Sequence, residues 1–330
     1  MNSVSSPVVL SKMKAAFLDF ATLGPGVNTA SLDKLLQVSY HTNSNHAEIL
    51  ERLHDKEVAL LNKAVLDRDI ITTSGNLKLI VLAATGTDNV DLAAAVKCGI
   101  AVSNIRDYCT DAVVQHVMAL ILGLTRQVGG YRALVSAGAW QRSEAFALFE
   151  YPIRELTGKT LGIVGYGILG RAVAKVACCF GMEVLIAERI DAEKDTIRED
   201  RIPLRSLLRQ ADVVSLHCPL TNSNHHMIST RELRLMKKDS LLINTARGAL
   251  IDSRALVEAL DAGIIAGAGI DVLAKEPPTD DEPLLRPGIP NLILTPHIAW
   301  TAKESRQRAL DQMVENITDF LGGGRLRRIA

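Results

Sequence analysis

Residues 160–170, TLGIVGYGILG, decide the fold of this chain. An apolar run leads into three glycines with the spacing G-x-G-x-x-G. In a strand–turn–helix unit the first glycine permits the tight turn, the second lets the backbone approach a pyrophosphate, and the third lets the helix pack closely on the strand. The free N–H groups at the start of that helix would then hold the pyrophosphate. We therefore predict dinucleotide contacts along the whole turn, at Gly165, Tyr166, Gly167, Ile168, Leu169 and Gly170.

The residues after the turn supply the context that this motif needs. Three glycines at this spacing also occur in ordinary turns, but here an amphipathic helix follows and a second predicted strand, 183–187, ends at Glu188. A carboxylate there accepts hydrogen bonds from ribose hydroxyls and repels a 2′-phosphate, although a solvated surface glutamate is the alternative. Arg189 comes next and can stack on adenine or meet a 2′-phosphate. We predict NAD(H) as the cofactor, with tolerance of NADP(H).

Outside this stretch, apolar runs alternate with amphipathic segments, a pattern typical of parallel sheets covered by helices. From residue 160 onward, we predict strands 160–164, 183–187, 213–217, 241–244, 266–271 and 292–295 and helices 168–180, 204–209, 230–236 and 253–262. Before it, we predict strands 15–18, 58–61, 79–82 and 101–103 and helices 32–40, 47–53, 90–97 and 112–124. A last amphipathic helix, 302–321, could return to the first domain. The fold class is α/β, and 330 residues that are 48% hydrophobic suffice for two doubly wound parallel-sheet domains.

Composition excludes several classes of partner. Lys plus Arg (37) cancel Asp plus Glu (37), so no net charge attracts nucleic acid or an anionic membrane surface. No segment approaches the roughly 18 apolar residues of a membrane span. The odd number of cysteines, five, and their spacing suggest neither a disulfide framework nor a metal site. We expect a soluble cytoplasmic protein whose residues 1–12 form a polar, flexible lead-in.

The segment 129–156 interrupts the alternation. It contains no clear strand, and its aromatic residues include Trp140, Phe146, Phe149 and Tyr151. A helix with connecting loops and exposed aromatic side chains is suited to a protruding arm that forms a dimer. Packing onto its own domain is an equally good interpretation of the sequence.

Three ionisable residues follow three predicted strands. Arg247 lies in NTARG, Glu276 in DVLAKEPP and His297 in TPHIAW. Any one of them, taken alone, would more often be an exposed loop residue. Because open α/β sheets bind ligands at the carboxyl ends of their strands, the set predicts a site at one edge of the sheet.

The chemistry of hydride transfer explains these residue types. Reduction of a 2-oxo acid needs a proton at the carbonyl oxygen, and a histidine can give it and take it back. A neighbouring carboxylate stabilises the imidazolium and selects its tautomer. The planar guanidinium of Arg247 suits a substrate carboxylate. Asp271, at the end of strand 266–271, could accept a hydrogen bond from the nicotinamide carboxamide.

The motifs INTARGALID, AGIDVLAKEPP, LTPHIAW and IVGYGILGR together resemble those of the D-isomer-specific 2-hydroxyacid dehydrogenases, over nearly the whole chain. The resemblance implies Arg247, Glu276 and His297 as the catalytic residues. It implies a Rossmann cofactor domain, 105–297, inserted into a discontinuous flavodoxin-like substrate domain made of 1–104 and 298–330. It also implies a homodimer joined through the cofactor domains.

Further residues are assigned by the same resemblance. AATGTDNVD resembles the family's substrate loop, which implies that Thr85 and Gly86 bind the substrate carboxylate through backbone N–H groups; the alternative is an ordinary turn. HCPL implies cofactor contacts for Cys218 and Pro219, and NTARG for Thr245 and Ala246. Two positions depart from the family pattern. Asn224 replaces a common threonine near the pyrophosphate, and residues 104–106, Asn-Ile-Arg, replace Asn-x-Pro at the hinge.

Within the family, KAAFLDFATLGPG, NIRDYCT, YPIREL and PHIAW are most similar to glycerate dehydrogenases, also called hydroxypyruvate reductases. This implies interconversion of a small 2-oxo acid and its D-2-hydroxy acid, such as hydroxypyruvate and D-glycerate or glyoxylate and glycolate. Trp300 would then line the substrate pocket, with core packing as the alternative. Two other functions stay open: a phosphite-type dehydrogenase of the same fold, and an NAD-sensing protein, similar to a corepressor, without catalysis.

Overall fold

A computed structural model describes residues 12–189 and 200–330, so nearly all of the predicted lead-in, 1–12, lies outside the described residues. The chain divides into two compact units. The first unit comprises the residues up to Cys109 together with Thr301–Ala330, and the second comprises Thr110–Trp300.

The described part of the first unit holds a parallel sheet with the strand order β2-β1-β3-β4-β5. This is the flavodoxin-like order. Its strands are β1 (Lys14–Phe17), β2 (Gln37–Tyr40), β3 (Val58–Leu61), β4 (Leu79–Leu82) and β5 (Ala101–Ser103). Its helices are α1 (Ala30–Leu35), α2 (His46–Leu53), α3 (Arg68–Thr73), α4 (Leu92–Lys97) and the C-terminal α11 (Lys303–Leu321), with a 3-10 helix at Phe20–Leu23.

The predicted helix 32–40 is wrong in its second half. Helix α1 ends at Leu35, and the chain turns extended at Leu36 to form β2 at the edge of the sheet. The leucines at 32, 35 and 36 have helical spacing, whereas Val38 and Tyr40 alternate with polar residues. The backbone N–H and C=O groups of this edge strand form hydrogen bonds with β1. No pattern in the local sequence predicts that pairing. Helix α3, capped by the Asp67 side chain, is absent from the sequence prediction.

The described part of the second unit holds a six-stranded parallel sheet with the order β11-β10-β9-β8-β6-β7. Its strands are β6 (Thr160–Val164), β7 (Glu183–Ile186), β8 (Val213–Leu216), β9 (Leu241–Asn244), β10 (Gly267–Ile270) and β11 (Leu292–Leu294). Its helices are α5 (Thr110–Arg126), α6 (Val128–Ser136), α7 (Ile168–Cys179), α8 (Leu204–Gln210), α9 (Thr230–Leu233) and α10 (Ser253–Asp261), with 3-10 helices at Gly248–Leu250 and Pro283–Leu285.

The order in which the strands of this sheet are connected predicts where a ligand crevice lies. The chain runs from β6 outward to β7 and then crosses to β8 on the other side of β6. An isolated bridge between Ala187 and Ile202 adds one more pairing beyond β7, where a complete dinucleotide-binding sheet has its third strand. The order of the strands reverses between β6 and β8, and open α/β sheets bind ligands at that point. The prediction of two doubly wound parallel-sheet domains is confirmed.

Helix α5 packs against β9, β10 and β11, and most of its apolar residues are buried. Taken singly, none of the helices in the described ranges has both the length and the apolar composition of a membrane span. Helices α5 and α6 reach that composition only when they are counted together across a bend of 57°.

Candidate active site

The glycine turn after β6 has the geometry that its spacing predicts. Gly165 has φ +97°, and a Cβ atom there would lie 2.5 Å from Cys218 N in the loop after β8. A Cβ atom on Gly170 would overlap Gly165 O, so the start of α7 can approach β6 only because this residue is glycine. Gly167 differs, because a Cβ atom there would enter open space. Gly167 is the N-cap of α7, so this space adjoins the free N–H groups of the helix, and a pyrophosphate fits there.

A pocket of about 320 Å³ adjoins the turn. It lies at the carboxyl ends of β6, β7 and β8, where the order of strands reverses. The residues that line it include five predicted cofactor contacts that lie outside the glycine positions: Tyr166, Glu188, Arg189, Cys218 and Pro219. Asn224 also lines it. Its side chain accepts from Thr221 N at 2.7 Å and donates to Pro219 O at 2.8 Å, and so shapes the wall of the pocket.

Arg201 is a pocket residue that sequence reasoning missed. The bridge between Ile202 and Ala187 brings it to the end of β7, beside Glu188 and Arg189. Within the described residues, its Nε atom is buried and has no hydrogen-bond partner. The pocket therefore combines one carboxylate with two guanidinium groups. No sequence motif marks Arg201, because its position depends on pairing between segments distant in the chain.

The wall formed by the end of β8 carries no charge at neutral pH. Burial lowers the pKa of His217 to about 4, and its Nε2 atom lies 2.8 Å from Ser215 Oγ. Burial also raises the pKa of the Cys218 thiol. The charges that a nucleotide meets in this pocket are therefore those of Glu188, Arg189 and Arg201.

At the end of β9, the NTARG segment forms a turn that hydrogen bonds from the Asn244 side chain stabilise. The buried Asn244 donates from Nδ2 to Arg247 O at 2.9 Å and accepts from Ala246 N at 3.0 Å. Thr245 Oγ1 is buried and, among the described residues, has no hydrogen-bond partner. A bound cofactor could supply one. The half-buried Arg247 follows with an extended backbone and precedes the 3-10 helix Gly248–Leu250.

His297 and Glu276 form a hydrogen-bonded pair. His297 Nδ1 lies 2.5 Å from Glu276 Oε2, and Leu273 N donates to Glu276 Oε1 at 2.8 Å. Because a carboxylate only accepts, the proton of this contact belongs to Nδ1, and Nε2 is the ring atom that exchanges a proton with a ligand. His297 has φ +55°, a left-handed conformation that is uncommon for residues other than glycine. Arg247, Glu276 and His297 thus follow three adjacent strands, β9, β10 and β11, at one edge of the sheet.

Asp271 is 1% exposed, and its carboxylate accepts four hydrogen bonds or close contacts from protein donors. Burial alone would raise the pKa of Asp271, but hydrogen bonds from His116, Thr295 and two backbone amides outweigh it and lower that pKa. The predicted contact with the nicotinamide carboxamide stays a prediction.

The predicted substrate contacts of Thr85, Gly86 and Trp300 also stay predictions. In the first unit, Thr85 and Gly86 follow β4, where Asn104 Nδ2 donates to Thr85 O at 2.8 Å and Thr85 Oγ1 donates to Ile105 O at 2.9 Å. These bonds hold the loop in one conformation. In the second unit, Trp300 is half-buried at the end of the loop that carries His297.

Comparison with known proteins identifies this architecture. Residues 118–299 match the family model of the NAD-binding domain of D-isomer-specific 2-hydroxyacid dehydrogenases. The chain belongs to this family. It is 42% identical to a glycerate dehydrogenase of Methylorubrum extorquens, over 94% of this chain and 96% of that protein. It is 37% identical to a hydroxypyruvate reductase of Blautia hydrogenotrophica, over 94% and 98%.

Solved structures agree with this assignment. A protein from Thermus thermophilus superposes with a TM-score of 0.83 at 34% identity and covers 94% of this chain and 98% of that one. A D-lactate dehydrogenase from Aquifex aeolicus, in complex with NAD and lactic acid, has a TM-score of 0.79 at 28% identity, with coverage of 94% and 96%. The chain is thus an NAD-dependent 2-hydroxyacid dehydrogenase, and NAD(H) is its cofactor, as the sequence predicted.

Proposed function

We propose that this dehydrogenase interconverts hydroxypyruvate and D-glycerate, and also reduces glyoxylate to glycolate, with NAD(H). The observation that carries the proposal is the pair formed by His297 Nδ1 and Glu276 Oε2 at 2.5 Å, at the edge of the sheet that also carries the nucleotide pocket. The names of the relatives at 42% and 37% identity support these substrates.

His297 is the general acid and base of this mechanism. Bound NADH supplies the hydride. As negative charge develops on the substrate oxygen, His297 delivers the proton from Nε2, and in the reverse direction Nε2 takes it back. Glu276 holds the ring through Nδ1 and balances the imidazolium charge, so it lowers the free energy of the protonated histidine.

Arg247 is the substrate anchor. Its guanidinium presents parallel donors that match a carboxylate, and the Asn244 bonds fix the turn from which it projects. We assign backbone N–H groups of Thr85 and Gly86 to the substrate carboxylate on the resemblance of their loop to that of the family. Trp300 is assigned to the substrate pocket, where its ring would limit the size of the substrate side chain.

A substrate panel tests the proposal. Hydroxypyruvate, glyoxylate, pyruvate and phenylpyruvate are assayed with NADH, and phosphite with NAD⁺. We expect the highest kcat/KM with hydroxypyruvate and a D-configured product. A higher kcat/KM for phenylpyruvate would overturn the substrate assignment, and turnover of phosphite alone would favour the phosphite-type function.

We also propose a homodimer joined through the arm 129–156. Two aromatic side chains of the arm are strongly exposed for a folded chain, Phe146 at 90% and Phe149 at 82%. The same unit carries an apolar groove of about 700 Å³ between α5 and α7, lined in part by Met118, Leu122 and Phe180. An arm and a groove on one unit allow two copies to exchange arms across a two-fold axis.

Light scattering of the full-length protein tests this arrangement. We expect a dimer for the wild type and a monomer for Phe146→Ser/Phe149→Ser. Val65→Ser, which changes an exposed apolar residue of the first unit, is the control and should stay dimeric. A monomeric wild type would refute the homodimer, and a dimeric double variant would remove the arm from the interface.

Two further assignments made from the sequence also stand as proposals. Residues 105–297 form the cofactor domain, and residues 1–104 with 298–330 form the substrate domain. The family model of the NAD-binding domain, matched over 118–299, supports the first. A cytoplasmic location is proposed because all five cysteines are free thiols, as in reducing compartments.

A further inference from the structure

His116 lies on α5, in none of the motifs discussed above. Its Nε2 atom is 3.0 Å from Thr295 Oγ1 and 3.4 Å from Asp271 Oδ1, and its side chain is 17% exposed. Helix α5 packs against β10 and β11, whose carboxyl ends carry Asp271 and Thr295. His116 therefore contacts the ends of β10 and β11 from the helix that packs on this sheet. The loop that carries His297 begins at the end of β11.

The direction of these hydrogen bonds follows from their donors. Thr295 Oγ1 lies 2.5 Å from Asp271 Oδ1, and because a carboxylate only accepts, the single hydroxyl proton of Thr295 is donated to Asp271. Thr295 Oγ1 must then accept from His116, so the ring carries a proton on Nε2. The three side chains form a directed chain that ends on the Asp271 carboxylate.

Asp271 is the residue around which the catalytic loop turns. Its backbone oxygen accepts from His297 N at 2.8 Å, and its carboxylate accepts from Ile298 N and Ala299 N, both at 2.9 Å. His297 itself has φ +55°, in the left-handed region that residues other than glycine seldom adopt. A strained residue keeps such a conformation only where its surroundings enforce it. The orientation of His297 therefore depends on how Asp271 is held.

We propose that His116 is a positioning residue for catalysis, which acts through Thr295 and Asp271 to hold the backbone of His297 in its reactive orientation. This inference rests on the proposed role of His297. His116 orients the Thr295 hydroxyl towards Oδ1 of Asp271. The same carboxylate accepts from the loop amides of Ile298 at Oδ1 and Ala299 at Oδ2.

The experiment compares His116→Leu, which removes the donor, with His116→Gln, whose side-chain amide can donate from nearly the same place. We expect His116→Leu to lower kcat about tenfold, the equivalent of about one hydrogen bond. The Kd of NADH and the KM of hydroxypyruvate should change less than about twofold, because neither ligand touches His116 in this scheme. His116→Gln should recover most of kcat. His54→Leu, at an exposed histidine, is the control.

Thr295→Val and the double variant His116→Leu/Thr295→Val complete the test. If both residues act on His297 through Asp271, the double variant loses no more kcat than the more severe single variant. Additive losses, an unchanged kcat in a folded His116→Leu, or a kcat loss matched by weaker NADH binding would each overturn the inference. If His116→Leu does not fold, the test compares Thr295→Val, which removes the hydroxyl, with Thr295→Ser, which keeps it. The inference then requires a lower kcat in Thr295→Val and most of the wild-type kcat in Thr295→Ser. An unchanged kcat in His297→Asn would refute the proposed function instead.

Discussion

The two halves of the six-stranded sheet bind in different ways. At the ends of β6, β7 and β8, backbone shape makes the site: Gly165 and Gly170 permit close approach, and Gly167 leaves an opening at the start of α7. At the ends of β9, β10 and β11, side chains make the site, and a hydrogen-bond network holds them. The first half leaves room for the pyrophosphate of the cofactor, and the second half places charge and a proton against the substrate.

This difference predicts different kinds of loss. A change in the cofactor half should weaken NADH binding and leave the chemistry of bound substrate intact. A change in the catalytic half should slow the chemical step and leave NADH binding intact. A variant that changed the Kd of NADH and the rate of the chemical step by equal factors would show that the two halves do not act independently.

The largest effect is expected at His297. His297→Asn should lower kcat by roughly 10²–10⁴, because no group remains to protonate the substrate oxygen, while the Kd of NADH stays unchanged. Asparagine is chosen because it tolerates the positive φ of this position. Steady-state kinetics and quenching of NADH fluorescence measure the two quantities, with His54→Asn as the control. A rate near that of the wild type would remove His297 from its role.

A smaller effect is expected at the opening beside α7. Gly167→Ala should raise the Kd of NADH about tenfold, or about 1.4 kcal/mol, because the added methyl occupies space that the pyrophosphate needs. Its Tm should equal that of the wild type, since the methyl meets no protein atom within 4 Å. Gly165→Ala, in contrast, should lower Tm, because its methyl would contact Cys218 N at a φ of +97°.

Gly75→Ala is the control for this pair, since its methyl also enters open space, in the first unit. It should change neither Tm nor the Kd of NADH. Wild-type affinity in Gly167→Ala would mean that the pyrophosphate does not lie at the start of α7.

A variant at Glu188 should change the preference for NADH over NADPH by no more than the tenfold effect expected for Gly167→Ala. Glu188→Ala should raise the ratio of kcat/KM for NADPH over NADH severalfold and at most about tenfold, because the carboxylate no longer repels a 2′-phosphate. Adding Arg201→Met should reverse much of the gain, since it removes a guanidinium whose Nε is buried at the pocket and unpaired among the described residues. Glu183→Ala, at the exposed start of β7, is the control. An unchanged ratio in Glu188→Ala would place the ribose elsewhere.

The smallest effect concerns stability at mildly acid pH. The pKa of His217 is lowered from its ordinary 6.5 to about 4 when folded, so below pH 6.5 the unfolded chain binds a proton that the folded chain does not. The stability due to neutral His217 is therefore full above pH 6.5 and is lost as pH falls towards 4. Between pH 7 and 6, the wild type should lose about 0.7 kcal/mol more than His217→Gln, as urea unfolding would measure. Equal losses would show that His217 is protonated when folded.

Much of the fold was predictable because its signals are local. Buried runs such as VALL in β3 and LIVL in β4 are apolar on both faces, as strands inside a parallel sheet must be. Strand β2 was not predictable, because its QVSY sequence is half-exposed at a sheet edge and its pairing with β1 depends on residues more than twenty positions away. The leucines before it favoured a helix, and the sheet overrode that preference.

The sequence by itself determined the glycine turn, the three strand-end residues and the family, because each is recognised from residue types at fixed spacing within short motifs. Only the tertiary structure decided which side chains meet. The approach of Arg201 to the end of β7 and the contact of His116 with Thr295 each join segments that strand pairing or helix packing brings together. Such contacts depend on three-dimensional packing, which leaves no periodicity or motif in the sequence to reveal them.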